Sequence, residues 1–272
     1  EIFRNVPVLI WILIIHSVFL AFLPQPKAFR GETPEATMLW DAFAFTGRGF
    51  YIPKPVFNDG SSIVIITFIL SIIGVFAFRY YARQKLYSEG KLLETRWTSV
   101  GIFFIPTILI YFALGNPITL EYPELKGFNF KGGIHARGSL ISLWFALSIY
   151  TGAFIAEVVR AGIQSVDKGQ SEAAGALGMR PNFIMNLVIL PQALRVIVPP
   201  LISFYLNITK NSSLALAVGY MDITGTLGGI TLNQTGRAIE AVLLLMLFYL
   251  VISLSISAIM NVYNRSIMLK ER

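Results

Sequence analysis

Six apolar runs dominate the hydrophobic pattern, at residues 6–23, 61–78, 99–114, 139–159, 188–208 and 238–260. Their lengths approach the roughly 20 apolar residues that cross about 30 Å of hydrocarbon as a helix. The pattern predicts an all-α, polytopic helical membrane protein with six spans. A seventh, weaker stretch at 214–232 contains Asp222 and four glycines, Gly219, Gly225, Gly228 and Gly229. Glycine weakens a helix interior, so this stretch is expected to be a re-entrant or surface segment protected by protein. Pro199-Pro200 predicts a kink in the fifth span, because proline removes a backbone donor and clashes one turn back. The first run follows Arg4 and so mimics a signal peptide. Pro7 lies early in it, however, and no small-residue cleavage site follows, so it reads as a span.

Composition agrees with this reading. The chain is 55% hydrophobic and only 14% charged, against about a quarter charged residues in a soluble domain. No polar stretch is long enough for an independent catalytic core; the longest, 24–60, falls short of one. The whole of 1–272 is expected to be a single transmembrane domain. The chain begins at Glu1 rather than Met, and further N-terminal sequence is expected before it. There are no cysteines, which excludes disulfides and thiolate metal sites. The two histidines, His16 and His135, are far apart in sequence. Paired aspartates, a His-Glu-x-x-His motif and a workable Ser/His pair are all missing, which argues against an intramembrane enzyme.

The net charge of +7 sets orientation rather than nucleic-acid binding. The loop after the second span carries Arg79, Arg83, Lys85, Lys91 and Arg96. The loop after the fourth carries Arg160, Lys168 and Arg180, with Arg195 just beyond, and the tail carries Arg265, Lys270 and Arg272. Basic residues concentrate in cytoplasmic loops, so all three belong in the cytoplasm, as does the C-terminus. Loops 24–60 and 115–138 mix acids with bases and are rich in Pro and Gly, and they read as extracytoplasmic. Trp40, Tyr51, Tyr122 and Trp144 fit interfacial positions.

The cytoplasmic loop 160–191 has a definite shape. Asp167-Lys-Gly-Gln170 reads as a capping box, with Gln170 reaching back from the third helical position. A short helix over 171–177 follows. Gly178 supplies a left-handed stop, and Pro181 opens a second helix at its first turn. Glu172 lies near the helix N-terminus, where a carboxylate is favoured. Ala173 and Ala174 keep the elbow narrow, and with Leu177 they form an apolar knob. A loop facing only water has no need of such a knob; one that docks into another protein does.

The spacing Glu172-Ala-Ala, three residues, Gly178, nine residues, Val188, one residue, Leu190-Pro191 resembles the Glu-Ala-Ala loop of ABC importer permeases. Its one departure is Val188 in place of Ile. Glu1-Ile-Phe-Arg-Asn-Val-Pro7, Phe154-Ile-Ala-Glu-Val-Val-Arg-Ala-Gly-Ile163 and Lys210-Asn-Ser-Ser-Leu214 resemble the polar amino-acid uptake permeases. Gly47-Arg-Gly-Phe-Tyr-Ile-Pro53 and an extra pair of spans are similar to the longer, general L-amino-acid subtype. The resemblance covers most of the chain. It implies the transmembrane domain of a type I ABC importer in a bacterial inner membrane, with one or more further spans before Glu1. It implies a second, homologous permease subunit, two cytoplasmic ATPase subunits, a periplasmic amino-acid-binding protein and an L-amino-acid substrate. No cofactor is implied in this chain, since ATP and magnesium would sit on the ATPase. Glu172, Ala173, Ala174, Leu177 and Gly178 would dock the ATPase, and Arg180 would pair with its acidic residues.

Polar groups within spans are costly and tend to face the bundle interior or a cavity. Asn207, Lys210, Asn211 and Ser213 cluster near the end of the fifth span, where a zwitterionic amino acid would find donors and acceptors. Lys210 either meets the substrate carboxylate or snorkels to the interface. His16 is a substrate-path candidate or a hydrogen-bonded core histidine. Glu157 and Arg160, three residues apart, either face the path or pair with each other. The competing class is a channel or ion-coupled secondary transporter without an ATPase. It would call for buried carboxylates in several spans or repeated broken helices, and neither is visible here.

Overall fold

A computed structural model describes residues 2–31 and 33–267, apart from the side chains of Arg4 and Ile267. Glu1 of the entry motif and Lys270 and Arg272 of the basic tail lie outside the described residues. In chain order the helices are α1 (Ile2–Asn5), α2 (Val8–Phe22), α3 (Ser61–Glu89), α4 (Thr95–Ala113), α5 (Gly138–Gln164), α6 (Lys168–Ala176), α7 (Pro181–Ile184), α8 (Leu190–Asn211), α9 (Leu232–Thr235) and α10 (Ala238–Ile267). Six helical stretches are long and apolar enough to cross a membrane, and they contain α2, α3, α4, α5, α8 and α10. Each apolar run read from the sequence thus becomes a helix. α8 runs through Pro199 and Pro200 and ends at Asn211.

Among the described residues seven short strands accompany the helices: β1 (Ala44–Thr46), β2 (Gly49–Ile52), β3 (Lys54–Phe57), β4 (Ile118–Glu121), β5 (Glu124–Lys126), β6 (Asn129–Lys131) and β7 (Ile134–Arg137). They form a three-stranded sheet in the order β1-β2-β7 and two antiparallel pairs, β3-β4 and β5-β6. The fold remains mainly helical, and the strands are confined to the two loops that the sequence left without structure.

The chain divides into two compact units. The first comprises 1–25, 46–49 and 136–272. Its core joins Ile12 of α2, Leu143, Ala146 and Leu147 of α5, and Ala215 and Val218, with Val8, Ile15, Ile208, Leu214 and Tyr220 packed around them. Ala215 and Val218 belong to a 3-10 turn over Ser212–Val218, the start of the glycine-rich stretch. The stretch is not one continuous helix, since the 3-10 turn ends at Gly219 in the left-handed region. It continues as a π-helical turn over Thr224–Thr231. Asp222 initiates this turn: its carboxylate accepts from the Gly225 amide at 2.9 Å, and its carbonyl accepts from the Thr226 amide, also at 2.9 Å. The Thr224 hydroxyl bonds the Tyr249 hydroxyl of α10 at 2.9 Å. The second carboxylate oxygen, Asp222 Oδ2, is buried without a hydrogen-bond partner.

The second unit comprises 26–45 and 50–135. α3 and α4 pack as a hairpin, with the Phe68 and Phe103 rings 5.3 Å apart. In the loops Tyr51 is only 1% exposed and packs with Ala44 and Phe130. Its ring stacks on His135 at 4.3 Å, and its hydroxyl donates to Asn129 Oδ1 at 2.8 Å. The interfacial position expected of Tyr51 is corrected accordingly: a fully buried ring with its hydroxyl satisfied is a core residue.

α5 and α8 approach each other closely at Gly162. A Cβ on Gly162 would lie 2.3 Å from Ile197 Cγ1 and 3.4 Å from the Ala193 carbonyl oxygen. Small residues permit such contact between membrane helices, which lack a hydrophobic drive to associate. Gly162→Ala is expected to destabilise the protein by about 1–3 kcal/mol through overpacking. The readout is the thermal midpoint in detergent, which should fall and should recover in part when Ile197→Ala is added. An unchanged midpoint would contradict the close approach.

Candidate functional site

The elbow between α5 and α8 is built by local backbone chemistry. Asp167 caps α6, its carboxylate accepting from the Gly169 amide at 2.6 Å. The helix begins at Lys168, so the box residue Gln170 falls in its first turn. The Gln170 side chain points elsewhere than the expected box: its Oε1 faces Gln192 Nε2 of α8 at 3.5 Å. The same Gln192 amide donates to the Val188 carbonyl at 3.0 Å, beside a π turn over Met185–Ile189. Pro191 brings no amide hydrogen to this turn, and the glutamine side chain supplies a donor to it.

At the other end of α6, Gly178 takes φ +76°. Its amide donates to the Gly175 carbonyl at 2.9 Å, and the Met179 amide donates to the Ala174 carbonyl at 3.3 Å. These two bonds make the Schellman arrangement that terminates a helix on glycine. Arg180 is extended at the N-cap of α7, and Pro181 is its first residue. The elbow is thus a capped helix, a fixed stop and a restart.

Side-chain exposure divides the candidates. Leu177 is 82% exposed, and Glu172, Ala173, Gly178 and Arg180 are exposed with it. Ala174 is only 5% exposed and turns into the chain's own body. One face of α6 therefore packs internally, while the Leu177 end is free.

The second candidate site is an open groove of about 390 Å³ in the first unit. Val8 of α2, Tyr150, Thr151 and Phe154 of α5, and Phe204, Asn207 and Asn211 of α8 line it. The Tyr150 and Phe154 rings lie 5.0 Å apart, and Phe154 and Phe204 6.0 Å apart. Two carboxamides and two hydroxyls set among three aromatic rings offer donors, acceptors and apolar surface together. Such a mixture characterises small-molecule sites. Asn207 and Asn211, four residues apart on α8, present one face. Tyr150, Thr151, Phe154 and Phe204 escaped the sequence reading because they sit inside apolar runs. The one available signal was the pair Tyr150 and Phe154, four residues apart on α5.

The other candidates lie elsewhere. Lys210 is exposed and is not among the groove's lining residues. The Ser213 hydroxyl donates to the Lys210 carbonyl at 2.7 Å. His16 Nδ1 lies 2.9 Å from the Ser142 hydroxyl, which itself donates to the Ser139 carbonyl at 3.1 Å. This bond ties α2 to α5, as a hydrogen-bonded core histidine would. Glu157 and Arg160 pair at 3.4 Å on the surface of α5.

The described residues thus combine six helices long and apolar enough to cross a membrane, a capped elbow, and a polar groove between α2, α5 and α8. The family model for the inner membrane component of binding-protein-dependent transport systems matches residues 95–269, and the chain belongs to that family. It is 48% identical, over all of its length and 69% of the relative, to a glutamate/glutamine/aspartate/asparagine transport system permease protein (BztB) of Rhodobacter capsulatus. It is 41% identical to a general L-amino acid transport system permease protein (AapQ) of Rhizobium johnstonii, and 43% identical to a putative amino-acid ABC transporter permease protein (YhdX) of Escherichia coli. In both cases the whole chain aligns, with 66% and 67% of the relative covered. The chain thus spans about two thirds of the length of these relatives.

The stop at Gly178 is testable. Gly178→Val places a β-branched residue at positive φ, a cost of roughly 1–2 kcal/mol or more. Transport is expected to fall severalfold with normal membrane insertion, while Gly178→Asn retains most activity. Equal transport by the Val variant would show that the stop is dispensable.

Proposed function

We propose that this chain is a permease subunit of an ATP-driven importer of L-amino acids. It forms part of the translocation path and is coupled through its elbow to a cytoplasmic ATPase. The family membership and the amino-acid transport named for its relatives support this reading over a channel or an ion-coupled transporter. The observation that carries it is the course of α8. One helix holds the tether to the elbow at Gln192 and the groove asparagines at Asn207 and Asn211. Fifteen residues of helix separate Gln192 from Asn207, about 22 Å at 1.5 Å per residue.

In this reading the elbow faces the cytoplasm, and the exposed Leu177, with Glu172, Ala173, Gly178 and Arg180, docks an ATPase subunit. Ala174 braces α6 from within. ATP and magnesium are held by the ATPase, whose closure moves the elbow. ATP shifts the inward and outward states only to the extent that elbow contacts differ between them. α8 carries that difference to the groove. The asparagine amides and the hydroxyls of Tyr150 and Thr151 receive the carboxylate and ammonium of an amino acid, and the rings bound its side chain. A second, homologous permease completes the path, a periplasmic binding protein delivers the substrate, and the C-terminus is cytoplasmic.

The test is uptake by the assembled transporter in membrane vesicles. Asn207→Leu and Asn211→Leu are each expected to raise KM about tenfold or more, as expected when a polar group loses its hydrogen-bonding partner, without loss of ATPase from the complex. Leu177→Glu should do the reverse, releasing the ATPase while the permease stays in the membrane. Competition with a panel of amino acids should reduce uptake, and competition with sugars should not. Unchanged kinetics in both asparagine variants would sink the groove assignment.

A further inference from the structure

One end of the α3–α4 hairpin carries chemistry that transport does not use. A cleft of about 470 Å³ there is lined by Arg79, Ala82, Arg83, Leu86 and Tyr87 of α3, by Leu92 and Leu93 of the connection, and by Thr95 and Arg96 at the start of α4. A second cleft of about 300 Å³ adjoins it, sharing Arg79 and Arg96, and runs along the helices between Val75, Ser99, Val100, Phe103 and Phe104. The first is basic, and beyond the shared arginines and Ser99 the second is lined by Val75, Val100, Phe103 and Phe104, so the pair forms a charged mouth leading into an apolar groove.

The arginines at the mouth are uncompensated. Among the described residues none of Arg79, Arg83 and Arg96 has a carboxylate within 4 Å; Glu89, the nearest acid on α3, is paired with Lys91 at 3.3 Å. Arg96 lies over the Trp97 ring at 5.9 Å. In the second cleft the Ser99 hydroxyl is buried without a hydrogen-bond partner. Around the mouth Tyr87 and Leu92 are 82% and 87% exposed, and Trp97 is exposed as well. Exposed aromatic and apolar side chains at a helix end belong at the level of lipid headgroups. A guanidinium cluster matches the planar, bidentate geometry of phosphate oxygens.

We propose that this hairpin end binds an anionic phospholipid of the cytoplasmic leaflet. Its phosphate is held by Arg79, Arg83 and Arg96, and an acyl chain lies in the cleft along Val75, Val100, Phe103 and Phe104. The continuity of the basic and apolar clefts selects a lipid over a free anion, since an inorganic phosphate would leave the apolar cleft unused. Basic pockets between helices on the cytoplasmic side are suited to such headgroups.

The experiment measures lipid retained by the purified full-length transporter in native mass spectra, with phosphatidylglycerol or phosphatidylcholine added. Wild type should retain phosphatidylglycerol over phosphatidylcholine. The triple variant Arg79→Gln/Arg83→Gln/Arg96→Gln should lose that preference, with apparent affinity falling on the order of a hundredfold for three cations near the surface. Lysine at all three positions keeps the charge but not the bidentate fork and should restore part of the binding, which guards against a misfolded triple variant. Phe103→Asp should weaken retention of the diacyl lipid, and millimolar inorganic phosphate should not displace it. Equal retention by the wild type and the glutamine variant would overturn the proposal. Displacement by phosphate alone would overturn it in favour of a free-anion site.

Discussion

The contact of Gly162 with Ile197 and the Ala193 carbonyl fixes the part of the molecule on which the rest depends. It lies two residues before the end of α5 and a few residues into α8, the two helices that enclose the elbow. Pressing these helices together without an intervening side chain gives the elbow two closely held ends. With those ends held, a nine-residue helix, a glycine stop and a proline restart suffice to shape it. The same pair of helices, some three turns further along, forms two walls of the groove. A Cβ at Gly162 would act on both places at once, because each is referred to the same helix pair.

Much of this was legible in the sequence, for a physical reason in each case. The spans were readable because hydrocarbon demands long, nearly uncharged runs, and each run became a helix. The two ends of α6 were readable because Asp167 and Gly178 act on backbone groups only a few residues away. Features that depend on distant partners were not readable. Gln170 looked like half of a capping box, yet its partner is Gln192, 22 residues on. Tyr51 looked like an interfacial aromatic, yet Phe130 and His135 enclose it. Among the strands, β2 finds β7 and β3 finds β4 across long intervening segments, while β1–β2 and β5–β6 pair locally but are only three or four residues long. Their residues alternate too briefly to declare themselves.

The groove illustrates the same limit. Asn207 and Asn211 stood out because amides are unusual in a span. Tyr150, Thr151, Phe154 and Phe204 join them only because α2, α5 and α8 converge, and nothing local marks that convergence. Lys210, the most conspicuous polar residue in the stretch, lies away from the groove, since one step along a helix turns a side chain by about 100°. Polarity in a span signals that a residue is unusual; the helix face determines whether it is used.

The π turn at Met185–Ile189 has a bearing on that face. Such a turn is in effect one residue inserted into an α-helix, and it offsets everything beyond it by about 100° of rotation. The azimuth of Asn207 and Asn211 is thus set relative to Pro181 by a local over-count some twenty residues away. The segment from elbow to groove behaves as a shaft with a fixed phase offset. Its working part is defined by angle as much as by length, and the loss or gain of one residue between Pro181 and Asn207 would turn the amides out of the groove with no side chain in the groove itself altered.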